Sequence, residues 1–157
     1  PVSVTIPAGQ TTSPTFNING IDDAVVDGTQ LVTITAVAAL HANGTDTVDV
    51  TDDDVAGLML TIVAAAISEN GGATTATVSR NTDTVAALTV TLTSGDAGHA
   101  TVPVSVMIPA GQTTSAVFAI DGVDDGIADG TQTVTITAMA TAHVDGMDTV
   151  DVMDDDG

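Results

Sequence analysis

The stretch TQTVTITAM, residues 131–139, decides how this chain folds. Val134, Ile136 and Ala138 alternate along it with threonines, so apolar side chains fall on one face and hydroxyl groups on the other. A period of two residues, carried largely by β-branched side chains, predicts a half-buried antiparallel strand. A closely similar stretch, TQLVTITAV, occupies residues 29–37, so the chain contains this predicted strand twice.

The two stretches belong to one long duplication. Residues 1–55 align with residues 103–157 without a gap, and 37 of the 55 aligned positions are identical. The period of 102 residues exceeds that of solenoid repeats and has the size of a small domain. We therefore predict a complete module at residues 58–156, a linker at residues 55–57, and the C-terminal half of another module at residues 1–54.

The complete module is predicted to be all-β, an antiparallel two-sheet β-sandwich of the immunoglobulin-like kind. Turn-forming sequences such as Asn70-Gly71-Gly72 and Asp129-Gly130 separate its alternating segments. Short strands with a turn every ~8–12 residues are typical of such sandwiches. Residues 63–67 are rich in alanine, but their β-branched neighbours favour a strand over a helix. The predicted strands, A to G, span residues 58–67, 73–80, 87–93, 104–108, 114–121, 131–140 and 147–153.

The half module is predicted to supply strands D to G without strands A to C. Its inward face and its sheet edges would then meet water, an arrangement that favours pairing with further strands. Those strands would come from preceding repeat sequence or from a neighbouring subunit, and we favour the former because the second copy is intact. The predicted inward face consists of Phe16, Ile18, Val32, Ile34, Val48 and Val50.

Composition restricts the function. The chain has 21 acidic residues against a single arginine, and its net charge is −20. Without a basic surface it is not expected to bind nucleic acid. No long apolar run predicts a membrane-spanning helix, and the absence of cysteine excludes disulfides. All but one of the acids are aspartate, the residue that favours turns and binds hard cations from loops.

Strand alternation predicts that most of the module's acidic residues meet at one end. If successive strands run in opposite directions, the A–B, C–D and E–F loops share that end with the end of strand G. Two carboxylates ~4 Å apart repel by about 4 kcal/mol at an effective dielectric constant near 20, so a cation is expected to neutralise them. This acidic end contains Glu69, Asp96, Asp124, Asp125, Asp129, Asp154, Asp155 and Asp156.

Ca²⁺ suits such a site because it accepts about six to eight oxygen ligands in irregular geometry, whereas Mg²⁺ requires a strict octahedron. Zn²⁺ would require histidine or cysteine, and the histidines are expected to be isolated. His41 and His143 lie in predicted F–G loops, and His99 is interpreted as a loop residue rather than a ligand. The alternative is a solvated acidic surface that holds no ion. No nucleophile motif surrounds a serine, so the module is not expected to be an enzyme.

Four segments resemble the Calx-beta domain, a calcium-binding sandwich of sodium–calcium exchangers, integrin β4 and many bacterial surface proteins. They are ISENGGATTATVSR at residues 67–80, VSVMIPAGQT at 104–113, VDDGIADGTQTVTIT at 123–137 and the terminal DDD at 154–156. The resemblance covers the whole predicted module and recurs in the half copy.

The resemblance implies which acids would bind calcium. Glu69 matches the family's A–B loop glutamate, and the acids that follow strands E and G match its E–F pair and its terminal run. Asp129 stands where the family usually has glutamate, and Gln132 stands where a second E–F acid is common. Asp96 would substitute for an aspartate–tyrosine pair that the shortened C–D segment lacks. These departures imply fewer or more weakly bound ions. The corresponding first-copy acids, also predicted as metal ligands, are Asp22, Asp23, Asp27, Asp52, Asp53 and Asp54.

Together these features predict a tandem-repeat segment of an extracellular or cell-surface protein in which Ca²⁺ makes the modules rigid. The linker at residues 55–57 is short enough to bring the acidic end of one module against the opposite end of the next. The expected role is structural or adhesive, with neighbouring repeats as partners and self-assembly into a fibre as a further expectation. The alternative is a stalk or spacer for a ligand-binding or catalytic domain elsewhere in a longer protein.

Overall fold

The structure, a computed structural model, describes residues 1–156. Their secondary structure is entirely β, and in this range no helix is long and apolar enough to cross a membrane. The chain divides into two compact units. The first comprises residues 1–23 and 29–52, and the second comprises residues 24–28 together with the chain from residue 53 onward.

The first unit contains a β-hairpin, and the second is a sandwich of two sheets. The hairpin consists of β1 (Gln30–Ala36) and β2 (Gly44–Val50). Within its described residues, the second unit has nine strands: β3 (Leu58–Ile62), β4 (Ala66–Ser68), β5 (Ala73–Arg80), β6 (Leu88–Ser94), β7 (Ala100–Thr101), β8 (Ser105–Ile108), β9 (Phe118–Gly122), β10 (Gln132–Met139) and β11 (Gly146–Met153). One sheet has the order β4-β11-β10-β6-β8, and the other has the order β3-β5-β9-β7.

The core of the second unit consists of alternate residues from the facing strands. Val78 of β5 and Ile120 of β9 are fully buried in one sheet, as are Val90 of β6, Ile136 of β10 and Val150 of β11 in the other. Exposed or half-buried residues occupy most of the intervening positions along β10 and β11. This alternation is what the sequence period predicts for strands packed on one face. The predicted all-β, two-sheet sandwich is therefore confirmed.

Predicted strand A is two strands instead of one. β3 pairs with β5, whereas β4 pairs in parallel with β11 of the other sheet. At the crossover, side chains take the place of a neighbouring strand. Asp148 Oδ2 accepts a hydrogen bond from Ile62 N at 2.9 Å, and Thr74 Oγ1 accepts one from Ala64 N at 2.9 Å. The prediction of one continuous strand over residues 58–67 is therefore wrong, and the two-residue strand β7 has no predicted counterpart.

The first unit forms only two of the four strands predicted for residues 1–54. Its β1–β2 hairpin corresponds to predicted strands F and G, with Gln30 opposite Val50 just as Gln132 lies opposite Val152. The prediction of strands D and E in this copy is wrong. In the second unit their counterparts β8 and β9 pair with β6 and β5, and residues 1–54 include no counterpart of β5 or β6.

The predicted inward face of the first unit is mostly open, with Ile34 and Val50 half-buried. Phe16 is 45% exposed and Ile18 is 53% exposed, whereas their counterparts Phe118 and Ile120 are 7% and 0% exposed. In the second unit this face is packed in a core that includes residues of β3, β5 and β6. All six residues of the open face are identical in type to their buried counterparts, which are Phe118, Ile120, Val134, Ile136, Val150 and Val152.

We predict that a copy of residues 58–102 fused ahead of Pro1 will complete the first unit. That segment carries the strands that cover the same face in the second unit, so the amides of β1 and β2 should exchange as slowly as those of β10 and β11. Hydrogen exchange of the fused and unfused chains measures this. A matched fusion carrying Leu60→Asp and Val90→Asp in the added copy should give no protection. Equal protection of the two hairpins in the unfused chain would contradict the prediction.

Candidate metal centre

The parallel pairing of β4 with β11 brings the acidic end together. Parallel strands end at the same edge of a sheet, so the residue after β4 lies beside the residues after β11. Ser68 is opposite Met153, and Glu69 N donates a hydrogen bond to Met153 O at 3.0 Å. Glu69 is thereby held next to the terminal aspartates, which begin at Asp154.

Glu69, Asp154 and Asp156 form the first of two clusters, which we call the Glu69 cluster. One carboxylate oxygen from each lies within 4.8 Å of the others. Glu69 is only 1% exposed, and its Oε1 accepts a weak hydrogen bond from Asp155 N at 3.4 Å. A buried carboxylate surrounded by like charges is unfavourable unless it is protonated or paired with a cation.

Two glycines allow the close packing that positions Glu69. A Cβ atom at Gly72 would lie 2.3 Å from Ser68 O, and one at Gly122 would lie 2.4 Å from the same oxygen. Gly122 N also donates to Gly72 O at 2.8 Å. Both distances are too short for any side chain, so the backbone around Glu69 requires glycine at these two positions. The sequence marks Gly72 only as part of a turn, and no sequence pattern marks Gly122.

The electrostatics of the Glu69 cluster oppose full ionisation. Burial raises the pKa of Glu69, and the charges of Asp154, Asp125 and Asp156 raise it further against the opposing hydrogen bond from Asp155 N. Burial and four neighbouring aspartates likewise raise the pKa of Asp156. By contrast, hydrogen bonds from Gly130 N and Asp156 N lower the pKa of Asp154. A bound cation would relieve the unfavourable interactions of the first two groups.

The second cluster is built around His99, and we call it the His99 cluster. Its Nε2 lies 3.3 Å from Asp129 Oδ2 and 3.7 Å from Asp125 Oδ2, and its buried Nδ1 lies 3.0 Å from Asp96 Oδ2 in an ion-pair contact without hydrogen-bond alignment. Interactions with Asp96 and then Asp129 raise the pKa of His99. A hydrogen bond from Gly98 N, and to a lesser extent the interaction with His99, lowers the pKa of Asp96. When protonated, His99 is therefore an internal counter-cation for these aspartates.

The expectation that the histidines are isolated is wrong for His99, because it contacts three carboxylates. The sequence contains a local signal for one of these contacts, the three-residue spacing of Asp96 and His99 within the tight SGDAGH turn. The other two contacts depend on how the β9–β10 loop folds over that turn, and no sequence spacing indicates this.

Asp155 and Asp124 are the predicted ligands of the second unit outside the two clusters, and Asp125 of the His99 cluster makes a loop contact like that of Asp124. Asp155 Oδ2 accepts a hydrogen bond from Asn70 Nδ2 at 2.9 Å. Asp124 Oδ1 and Asp125 Oδ1 accept backbone hydrogen bonds that close their own loop, from Gly126 N at 3.3 Å and Ile127 N at 2.9 Å. These contacts order the loops next to the Glu69 cluster.

The first-copy acids form no comparable cluster within residues 1–156. Residues 1–54 align with residues 103–156 and so include no counterpart of Glu69, Asp96 or His99. The predicted metal-binding role of the first-copy acids therefore stays a prediction. These acids are Asp22, Asp23, Asp27, Asp52, Asp53 and Asp54.

The Glu69 cluster fits a hard cation better than the His99 cluster does. All three of its side chains offer carboxylate oxygens, the donors that Ca²⁺ prefers. The His99 cluster combines an imidazole with three aspartates, and its histidine already forms ion-pair contacts with them. The acidic end therefore contains groups that can hold a metal ion.

No protein-family model matches this sequence, and no curated protein matches it. Among solved structures, it is similar to a glycosyl hydrolase family 2 member from Bacteroides cellulosilyticus, with a TM-score of 0.52 and 12% sequence identity. The match covers 79% of this chain but only 17% of the hydrolase chain. At this identity the likeness bears on the fold alone, and it agrees with the β-sandwich described above.

We predict that His99 stabilises the metal-free protein in a pH-dependent way. Since its folded-state pKa is raised above 6.5, its stabilising effect is complete below about pH 6.5 and is lost as the pH rises through the folded-state pKa. In EDTA, His99→Asn should lower the melting temperature at pH 5.5 more than at pH 9. The control is His143→Asn, because the ring of His143 contacts Thr141 O and Thr82 instead of acids. A pH-independent loss in the His99 variant would contradict the prediction.

Proposed function

We propose that the second unit is a structural repeat module that binds Ca²⁺ through the Glu69 cluster. The observation that carries this proposal is the convergence of Glu69, Asp154 and Asp156 within 4.8 Å around a glutamate that is 1% exposed. A charged carboxylate is rarely buried without a partner, and here burial and like charges together raise the pKa of Glu69. A divalent cation is the partner that would restore its charged form.

Calcium is favoured over other cations by the donor set. Carboxylates that come from loops rather than from rigid strands tolerate the irregular shell of Ca²⁺ better than the octahedron of Mg²⁺. Zn²⁺ prefers imidazole and thiolate, and the Glu69 cluster contains neither. An extracellular or cell-surface location is part of this proposal, and calcium sites of extracellular modules have Kd values on the order of 10⁻⁴–10⁻³ M. We expect the Glu69 cluster to bind calcium in that range.

When bound, the cation supplies charge neutralisation that joins two chain segments. Glu69 belongs to the β4–β5 loop, whereas Asp154 and Asp156 follow β11. Asp154 also reaches the β9–β10 loop, since its Oδ2 accepts a hydrogen bond from Gly130 N at 2.7 Å. Fixing these carboxylates would therefore link the β4–β5 loop to the residues after β11, and through Asp154 also to the β9–β10 loop, at one end of the sandwich. Such a tie would make the module stiff without adding to its core.

The biological role that follows is a rigid structural or adhesive spacer in a tandem array, with neighbouring repeats as partners and a fibre as one form of assembly. The internal duplication, the short linker at residues 55–57 and the resemblance to Calx-beta domains support this role. The alternative, a stalk for a ligand-binding or catalytic domain, uses the same modules in the same way. Flanking sequence distinguishes the two, because further copies favour a fibre or adhesin and an unrelated domain favours a stalk.

We expect calcium to raise the melting temperature. A ligand that binds only the folded state stabilises it by about 2.7 kcal/mol at ~100 times its Kd. Calorimetry suits the measurement, because the chain has no tryptophan or tyrosine for fluorescence. Mg²⁺ at matched ionic strength should restore the stability lost in EDTA only weakly. Identical melting curves in calcium and in EDTA would refute the calcium proposal and favour a solvated acidic surface.

Glu69→Gln should separate binding from folding. The substitution keeps the shape of the side chain and removes its charge, so it should weaken calcium binding at least about tenfold, or ~1.4 kcal/mol. The metal-free variant should be as stable as the parent protein or more stable, because burial and neighbouring charges disfavour the ionised glutamate.

Asp145→Asn is the matched control for Glu69→Gln, since the first copy has Asn43 at that position. Titration calorimetry of both variants measures the effect. Equal losses in the two variants would mean that net charge alone attracts calcium and that the Glu69 cluster is not a built site.

A further inference from the structure

Asn81 and Thr82, which follow strand β5, contact a segment that belongs by sequence to the first copy. Residues 24–28 pack as part of the second unit. Val26 N donates a hydrogen bond to Asn81 O at 2.9 Å, and Val26 forms a parallel β-bridge with Thr82. In the second copy the equivalent segment, residues 126–130, is the central part of the β9–β10 loop at the acidic end.

The side chain of Asn81 connects this segment to the linker. Its Oδ1 accepts a hydrogen bond from Gly57 N at 2.8 Å. Its Nδ2 donates to Val55 O at 3.0 Å and to Ala24 O at 3.3 Å. One amide thus satisfies backbone groups of two chain segments, and this requires both a donor and an acceptor on the same side chain. Aspartate supplies only the acceptor, and alanine supplies neither.

We propose that Asn81 and Thr82 form the receiving site for the β9–β10 loop of a preceding copy, and that residues 126–130 are the matching surface for the next copy. The partner is a second module of this same sequence, arranged head to tail. This arrangement deepens the repeat organisation in the proposed function and rests on it, but the contacts that carry it at Asn81 involve no metal site. Heterologous contacts of this kind propagate into open arrays unless they close into a ring.

Backbone hydrogen bonds at this site are compatible with its use by two copies that differ in sequence. Two hydrogen bonds to the bound segment involve its backbone atoms Val26 N and Ala24 O. The changes from Ala24 to Gly126 and from Val26 to Ala128 therefore keep both groups. The backbone conformation is also shared at the end of the segment, where Gly28 and Gly130 both have φ of 76°. Ile127, next to the equivalent donor, is 60% exposed.

The first test is residue-resolved hydrogen exchange of the full chain in EDTA. Asn81→Ala should accelerate exchange at Gly57 and Val26 by about tenfold or more while the amides of β10 stay protected. Asn81→Asp keeps the acceptor for Gly57 N but loses both donor contacts, so it should accelerate Val26 more than Gly57. Asn70→Ala, at the acidic end, is the matched control. If Asn81→Ala also accelerates exchange of the β10 amides, the whole unit has been destabilised, and the result for Asn81→Asp then decides the test. Unchanged exchange at Val26 in both Asn81 variants would overturn the proposal.

The second test extends the full chain after Gly157 by a copy of residues 56–157. The amide of Ala128, the counterpart of Val26, should then become as protected as that of Val26. If Ala128 exchanges as fast as in the unextended chain while Val26 stays protected, residues 126–130 are not the matching surface. Because the experiment is carried out in EDTA, its failure is separate from failure of calcium binding. The Asn81→Asp substitution in the added copy should abolish the new protection.

Discussion

The parallel pairing of β4 with β11 is the interaction on which the acidic end depends. It requires the chain to leave the smaller sheet after Ile62, and Asp148 and Thr74 make this break possible by accepting the backbone hydrogen bonds there. Once β4 has crossed, Glu69 lies beside the end of β11, and glycines allow the neighbouring loops to approach its backbone. Without the crossover, Glu69 and the terminal aspartates would extend from different sheets.

The acidic end balances its charge in two different ways. On the side of the β6–β7 loop, His99 supplies an internal cation whose strength depends on pH. Around Glu69 the described residues supply no basic group, since Arg80 lies at the other end of β5 and donates to the carbonyls of Ala86 and Gln112. Protonation is therefore the internal means of reducing repulsion at Glu69, and an external cation is the alternative that keeps it charged.

The sequence correctly predicted strands that depend on local patterns. It did not predict features that depend on contacts between residues far apart in the chain. Alternation in TQTVTITAM fixed the position of β10, and turn residues bounded β5 as predicted, at residues 73–80. The split of strand A depends on Asp148, 86 residues away from Ile62, and no local pattern encodes it. Strands D and E do not form in residues 1–54 for a related reason, because these residues include no counterpart of the pairing partners β5 and β6. Strand parity predicted which loops share an end, but not that His99 would contact three of their acids.

The β9–β10 loop links the two proposals made for this chain. At one side its Gly130 N is held by Asp154, a member of the Glu69 cluster. Residues 126–130 of the same loop are equivalent to residues 24–28 and form the surface proposed to bind at Asn81 of the next module. A cation that orders this loop would reduce the entropy lost on docking, and docking would in turn favour the ordered, cation-binding loop. By linkage the two effects must be equal in free energy. Stiffness within a module and stiffness between modules would then arise from one loop, and a segment with few aromatic residues and no disulfides could in this way serve the proposed role of a rigid spacer.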